Sequence, residues 1–111
     1  PILGEEKVYG ILTDYRDAIQ FVHDQTVRGM NKGLTPNELV EKVILPDHLQ
    51  QSEWLKEFYG KTQWSVRTVF DGYLGFYDGN PTTLLPLKMK EKAERLEKLA
   101  GGKNKLISSI E

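Results

Sequence analysis

The chain has 111 residues, 39% of them hydrophobic and 28% charged, with a formal net charge of −1 and no cysteine. That length supports one core without covalent staples, and the missing thiols exclude disulfides, thiolate metal sites and cysteine nucleophiles together. The near-neutral charge excludes the basic stripe of a nucleic-acid-binding module, and no apolar run approaches the roughly 18 residues of a transmembrane segment. Pro1, followed by acidic Glu5 and Glu6, does not open a signal peptide, and its place in front of the chain suggests a piece excised from a longer protein.

From Glu5 to Asn31 the residues Val8, Leu12, Tyr15, Ile19, Val22, Thr26 and Met30 recur every three or four positions, which predicts a long amphipathic helix. Gly33 should end it, because glycine tolerates positive φ at a helix C-terminus. Thr35, Pro36 and Glu38 then form a capping box with proline in the first turn. The helix they open, through Leu39, Val40 and Val43, must be short, since Pro46 disfavours α geometry at Leu45. Residues 45–52 read as a connection, and Ser52 to Tyr59 as a third helix capped by Ser52 and ended by Gly60.

Val66, Val69, Phe70, Tyr73, Leu74 and Tyr77 keep helical spacing, which predicts a helix over 63–77 in spite of its β-branched and aromatic content. On that helix Gly72, Gly75 and Gly79 would form a flat stripe for a backbone or a ligand to approach. Asp78-Gly79-Asn80-Pro81 breaks the pattern, with an extended link through Pro86. Met89, Ala93, Leu96 and Ala100 mark a helix over 88–100 with the ion pairs Glu91–Arg95 and Glu94–Lys98, closed by Gly101-Gly102. Leu106, Ile107 and Ile110 begin another stripe, so the domain is expected to continue past Glu111. The fold class expected is all-α, a bundle of about five helices truncated before its final ones and leading into a TPR-like helix hairpin.

Only two histidines, His23 and His48, are present, with no second His at ligand spacing from either, so no metal site is expected in the chain. His23 beside Asp24 reads as a structural or interface residue, because neighbours on a helix point in different directions. No serine carries a nucleophile-elbow motif, which leaves no catalytic residue to assign. Tyr73 and Tyr77, four apart with Phe70, read as core aromatics, with the sharper alternative that one phenol donates to an anion in a neighbouring domain. The many aromatics, among them Trp54, Phe58, Trp64 and Phe76, exceed what one small core uses and point to an interface.

The blocks His23-Asp24-Gln25-Thr26, Gly33-Leu34-Thr35-Pro36, Leu45-Pro46, Glu57-Phe58-Tyr59-Gly60, Gly72-Tyr73-Leu74-Gly75-Phe76-Tyr77-Asp78-Gly79-Asn80-Pro81 and Leu99-Ala100-Gly101-Gly102 occur in that order. They resemble the alkyl sulfatase dimerisation domain, the all-helical middle region of zinc-dependent alkyl and aryl sulfatases with a metallo-β-lactamase fold. The resemblance implies that the whole of residues 1–111 is a non-catalytic, homodimer-forming and cleft-completing part of an enzyme that hydrolyses alkyl sulfate esters. It further implies an adjacent zinc hydrolase domain upstream, which holds a pair of zinc ions, and a sterol-carrier-like domain downstream. By the same resemblance Tyr73 or Tyr77 faces the sulfate or the alkyl chain, while His23, Phe70, Gly72, Gly75 and Asn80 are interface or structural residues. Periplasm and cytoplasm suit a cysteine-free bacterial-type protein equally. The alternative reading is a free-standing helical protein-interaction adaptor. A helix-turn-helix DNA binder on the helices from Pro36 and Ser52 would have the wrong charge.

Overall fold

The computed structural model describes residues 4–109. They form seven α-helices and one 3₁₀ turn, with no strand among them: α1 (Glu5–Met30), α2 (Pro36–Lys42), α3 (Asp47–Gln50), the 3₁₀ turn (Glu53–Leu55), α4 (Thr62–Leu74), α5 (Pro81–Leu84), α6 (Met89–Leu99) and α7 (Lys103–Ser108). The all-α class is as expected, and the helices group into two compact units that divide between Gly79 and Asn80. No helix among the described residues is long and apolar enough to cross a membrane.

In the first unit, α1 ends on two bonds of a Schellman motif. The Gly33 N–H donates to Met30 O at 2.9 Å and the Leu34 N–H to Gly29 O at 3.1 Å, with Gly33 at φ 77°. These bonds satisfy carbonyls that the helix end leaves without partners. The chain then turns directly into the capping box. Thr35 N–H donates to Glu38 Oε2 at 2.8 Å, and the Glu38 N–H donates back to Thr35 Oγ1 at 3.4 Å. The carboxylate that takes these donors is held below its ordinary value, first by the Thr35 backbone N–H and then by the Thr35 hydroxyl.

This tight α1–α2 corner lets α4 pack against both helices. Val22 from α1, Leu39 and Val43 from α2 and its C-cap, and Val66 and Phe70 from α4 make the core, edged by Phe21, Met30, Leu34, Val40 and Leu45. Thr26 is buried among them, and its hydroxyl donates to Val22 O at 2.6 Å, so no polar group is stranded. Gly29 faces α2 so closely that a Cβ there would overlap Leu39 Cδ2.

Three expectations about the helices of the first unit need correction. The connection over 45–52 contains α3, which starts from Pro46 at φ −58° and buries Leu49. The helix expected from Ser52 to Tyr59 is only the 3₁₀ turn. The Ser52 hydroxyl donates to Asp14 Oδ2 at 2.6 Å and so does not cap, and a single isolated turn cannot repay helix nucleation. Trp54 and Leu55 instead lie partly buried, the turn packs against α1, and Lys7 Nζ sits 5.5 Å from a Trp54 ring centroid. Finally, α4 stops at Leu74 because Gly75 takes φ 80° and ψ −171°, a region open essentially to glycine alone. The proposed stripe of Gly72, Gly75 and Gly79 therefore dissolves, since only Gly72 is helical.

In the second unit the link after Pro81 is the short helix α5, opened by Asn80, whose Oδ1 accepts from the Thr82 N–H at 3.0 Å. α6 and α7 follow one another across Gly101-Gly102 and touch near that turn, and neither buries a residue. Gly101 and Gly102, both at positive φ, donate to Lys98 O and Glu97 O and close α6 as a second Schellman motif. Glu91 and Arg95 pair at 2.6 Å as expected, while Glu94 and Lys98 are exposed. Ile110, the last residue of the expected terminal stripe, lies outside the described residues.

Candidate functional site

The predicted apolar stripe of α1 is used in only half its length. Ala18, Val22, Thr26 and Gly29 are buried, whereas Leu12 and Ile19 are 63% and 68% exposed and Val8 and Tyr15 are also in solvent. Tyr15, Ile19 and Val22 run into a cleft of about 780 Å³ whose far wall is the segment of Trp54, Leu55, Phe58 and Tyr59. Because that segment is not helical, it lays Phe58 and Tyr59 out as exposed aromatics at the rim. Glu53, Lys56, Glu57 and Lys61 line the same cleft, two charges of each sign.

His23 stands on the cleft wall and joins the site's polar groups. Its Nε2 lies 2.9 Å from Tyr73 Oη on the last turn of α4, and its Nδ1 lies 2.9 Å from Asp24 Oδ1. The rings of His23 and Tyr73 meet at 58° with centroids 5.8 Å apart. Asp24, His23 and Tyr73 thus form one carboxylate–imidazole–phenol line at the surface, with Tyr73 itself 63% exposed. The expectation that His23 and Asp24 point apart is wrong. Both side chains bend along the helix surface far enough to bond, which Cβ directions alone do not show.

The remaining candidates do not converge on this line. Tyr77 lies three residues beyond the end of α4, so it does not share a helical face with Tyr73. Phe70 is a core residue, 5% exposed. A Cβ on Gly72 would meet nothing within 4 Å, so among the described residues no other segment's backbone approaches that side of it. Gly75 ends α4, and Asn80 caps α5 in the other unit. Sequence reading missed the His23–Tyr73 bond because the two residues are 50 positions apart. Trp54 and Leu55 were visible as apolar residues, but their role as a cleft wall depends on the segment being irregular. Among the described residues no group of three His, Cys, Asp or Glu could hold a metal ion, so the donors present do not fit a zinc site.

The chain is 53% identical over 108 residues to a linear primary-alkylsulfatase from a Pseudomonas species, a match covering 96% of this chain and 20% of that protein. It is 36% identical over 111 residues to an (R)-specific secondary-alkylsulfatase of Pseudomonas, covering 99% and 17%. It is also 32% identical over 108 residues to an alkyl/aryl-sulfatase of Saccharomyces cerevisiae, covering 97% and 17%. The solved structure of a stereoselective inverting sec-alkylsulfatase from Pseudomonas superposes with a TM-score of 0.86 at 36% identity, over 98% of this chain and 17% of that one. The chain therefore spans about a fifth of the length of the curated relatives it matches. These matches cover nearly the whole chain, whereas the family's sequence model begins at the capping box. With that model matching residues 35–111, this all-helical chain belongs to the alkyl sulfatase dimerisation family.

Proposed function

We propose that this chain joins two copies of an alkyl-sulfate-hydrolysing enzyme and closes one side of its substrate cleft. The observation that carries the reading is the apolar stripe left in water on α1 between Val8 and Ile19, with Leu12 and Ile19 each more than 60% exposed. Apolar residues at helical period on a surface helix are burying positions that lack a partner within the chain. The family's dimerisation role and the alkylsulfatase relatives support a second copy as that partner.

The cleft beside this stripe supports the second half of the proposal. Its far wall of Trp54, Leu55 and Phe58 suits an alkyl chain, and Tyr73 at the His23 edge suits the sulfate. The parent reaction consumes water and releases an alcohol and sulfate. Zinc would be held by donors elsewhere in the longer protein, since the residues here do not fit it, and the isolated chain should not turn over dodecyl sulfate with added zinc. In the longer enzyme Tyr73→Phe should lower turnover without loss of folding.

Sedimentation equilibrium of the chain over a hundredfold concentration range tests the interface. A concentration-dependent dimer that the double substitution Leu12→Gln, Ile19→Gln converts to monomer supports the reading. A monomer at every concentration, or a dimer indifferent to both substitutions, refutes the placement of the interface on α1.

A further inference from the structure

Asp24, His23 and Tyr73 form a chain in which each hydrogen can sit in only a few places, and this constrains what Tyr73 can offer a ligand. The exposed Asp24 carboxylate accepts and cannot donate when ionised. His23 Nδ1, 2.9 Å from Asp24 Oδ1, therefore carries a proton. A neutral imidazole has only one N–H, so Nε2 is bare and acts as an acceptor. The sole proton available to the 2.9 Å contact between Nε2 and Tyr73 Oη is the phenol's own. Tyr73 then donates inward and turns lone pairs outward, which is the wrong polarity for an anion.

Protonation of His23 reverses this. With both ring nitrogens carrying hydrogen, Nε2–H donates to Tyr73 Oη and the phenolic O–H is released to rotate outward. We propose that Asp24 and His23 are positioning residues that aim the Tyr73 hydroxyl, so that Tyr73 binds the sulfate group of an alkyl sulfate with uptake of one proton on His23. The inference rests on the reading of Tyr73 as the sulfate contact.

The surroundings leave the control with this line of three residues. On α1, Asp24 bonds His23, and Tyr15 lines the same cleft two turns away. From the 53–61 segment Glu53, Lys56, Glu57, Tyr59 and Lys61 face the same cleft, and their charges cancel in pairs. Glu57 is already engaged, accepting from the Thr62 N–H at 2.8 Å. From α4, Tyr73 meets the ring. Coupling is reciprocal: if protonation favours the anion, the anion favours protonation by the same factor.

The test uses ¹⁵N-labelled chain with His48→Gln to leave one imidazole signal. Long-range ¹H–¹⁵N spectra of the neutral form should show the proton on Nδ1, and a neutral form protonated on Nε2 overturns the proposal. Titration with hexyl sulfate should move the His23 midpoint to higher pH. Affinity should fall about tenfold per pH unit above that midpoint, as uptake of one proton requires, and Tyr73→Phe should remove most of this slope. Binding that needs Tyr73 but is independent of pH overturns the proton coupling and leaves the Tyr73 contact standing. Binding unaffected by Tyr73→Phe at every pH refutes the Tyr73 contact and the coupling with it.

Discussion

Two glycines on the same helix should respond to alanine with opposite signs. Gly10 and Gly29 both lie within α1, and in an exposed helix interior alanine is favoured over glycine by about 1 kcal/mol. A Cβ on Gly10 would meet nothing within 4 Å, so Gly10→Ala should be stabilising by roughly 0.5–1 kcal/mol. A Cβ on Gly29 would overlap Leu39 Cδ2 and stand 3.3 Å from Leu34 Cδ1. Leu39 is 1% exposed and sits in the core with Val22, Val43, Val66 and Phe70. Overpacking of this kind costs about 1–3 kcal/mol, which exceeds the propensity gain near a helix end and leaves Gly29→Ala destabilising by about 1 kcal/mol. The two variants should then differ by on the order of 2 kcal/mol, or about 1 M or more in the urea midpoint for a unit of this size. Tryptophan fluorescence is the suitable probe, because Trp54 and Trp64 both belong to the first compact unit. Equal stabilisation by both substitutions would show that Leu39 moves aside freely and that the close α1–α2 crossing does not require glycine.

The capping box should make stability depend on pH in one direction. Glu38 has its folded-state value lowered, so its contribution is fully present above the unfolded value and is lost as pH falls through the folded one. Glu38→Gln should flatten the acid limb of the unfolding midpoint against pH, and an unchanged limb would remove the box from that role. Ser52→Ala deletes a donor to the Asp14 carboxylate in a partly buried bond and should cost about 1.5–3 kcal/mol. The loss should appear in the same fluorescence unfolding curve, and a change within about 0.5 kcal/mol would mark the bond as incidental.

Much of the first unit was legible in the sequence because its signals are bonds between neighbours at fixed separations. Thr35, Pro36 and Glu38 predict their own geometry, Gly33 stops α1 where a positive φ is needed, and the stripes of α1, α4 and α6 follow from helical period. Helix ends were less legible where a glycine outranked an apolar pattern. Tyr77 keeps the spacing of α4, but the Gly75 backbone had already left the helix. The 53–59 segment has helical spacing in its aromatics, yet its cap hydroxyl is drawn to Asp14, 38 positions earlier.

By itself, then, the sequence determined that the chain is all-α, where α1, α2 and α6 start and stop, and which family it belongs to. Only the tertiary structure decided which part of a stripe is core and which is surface. α1 has apolar residues along its length, but α2 and α4 bury only Ala18, Val22, Thr26 and Gly29, and Leu12 and Ile19 remain in water. The Asp24–His23–Tyr73 line belongs to the same class of fact. Its first bond is between neighbours that helical geometry sets apart, and its second exists because the docking of α4 on α1 brings two side chains together across 50 residues. Local hydrogen bonds depend on sequence separation and can be read from it, whereas burial and long-range contacts depend on which surfaces the packed core covers.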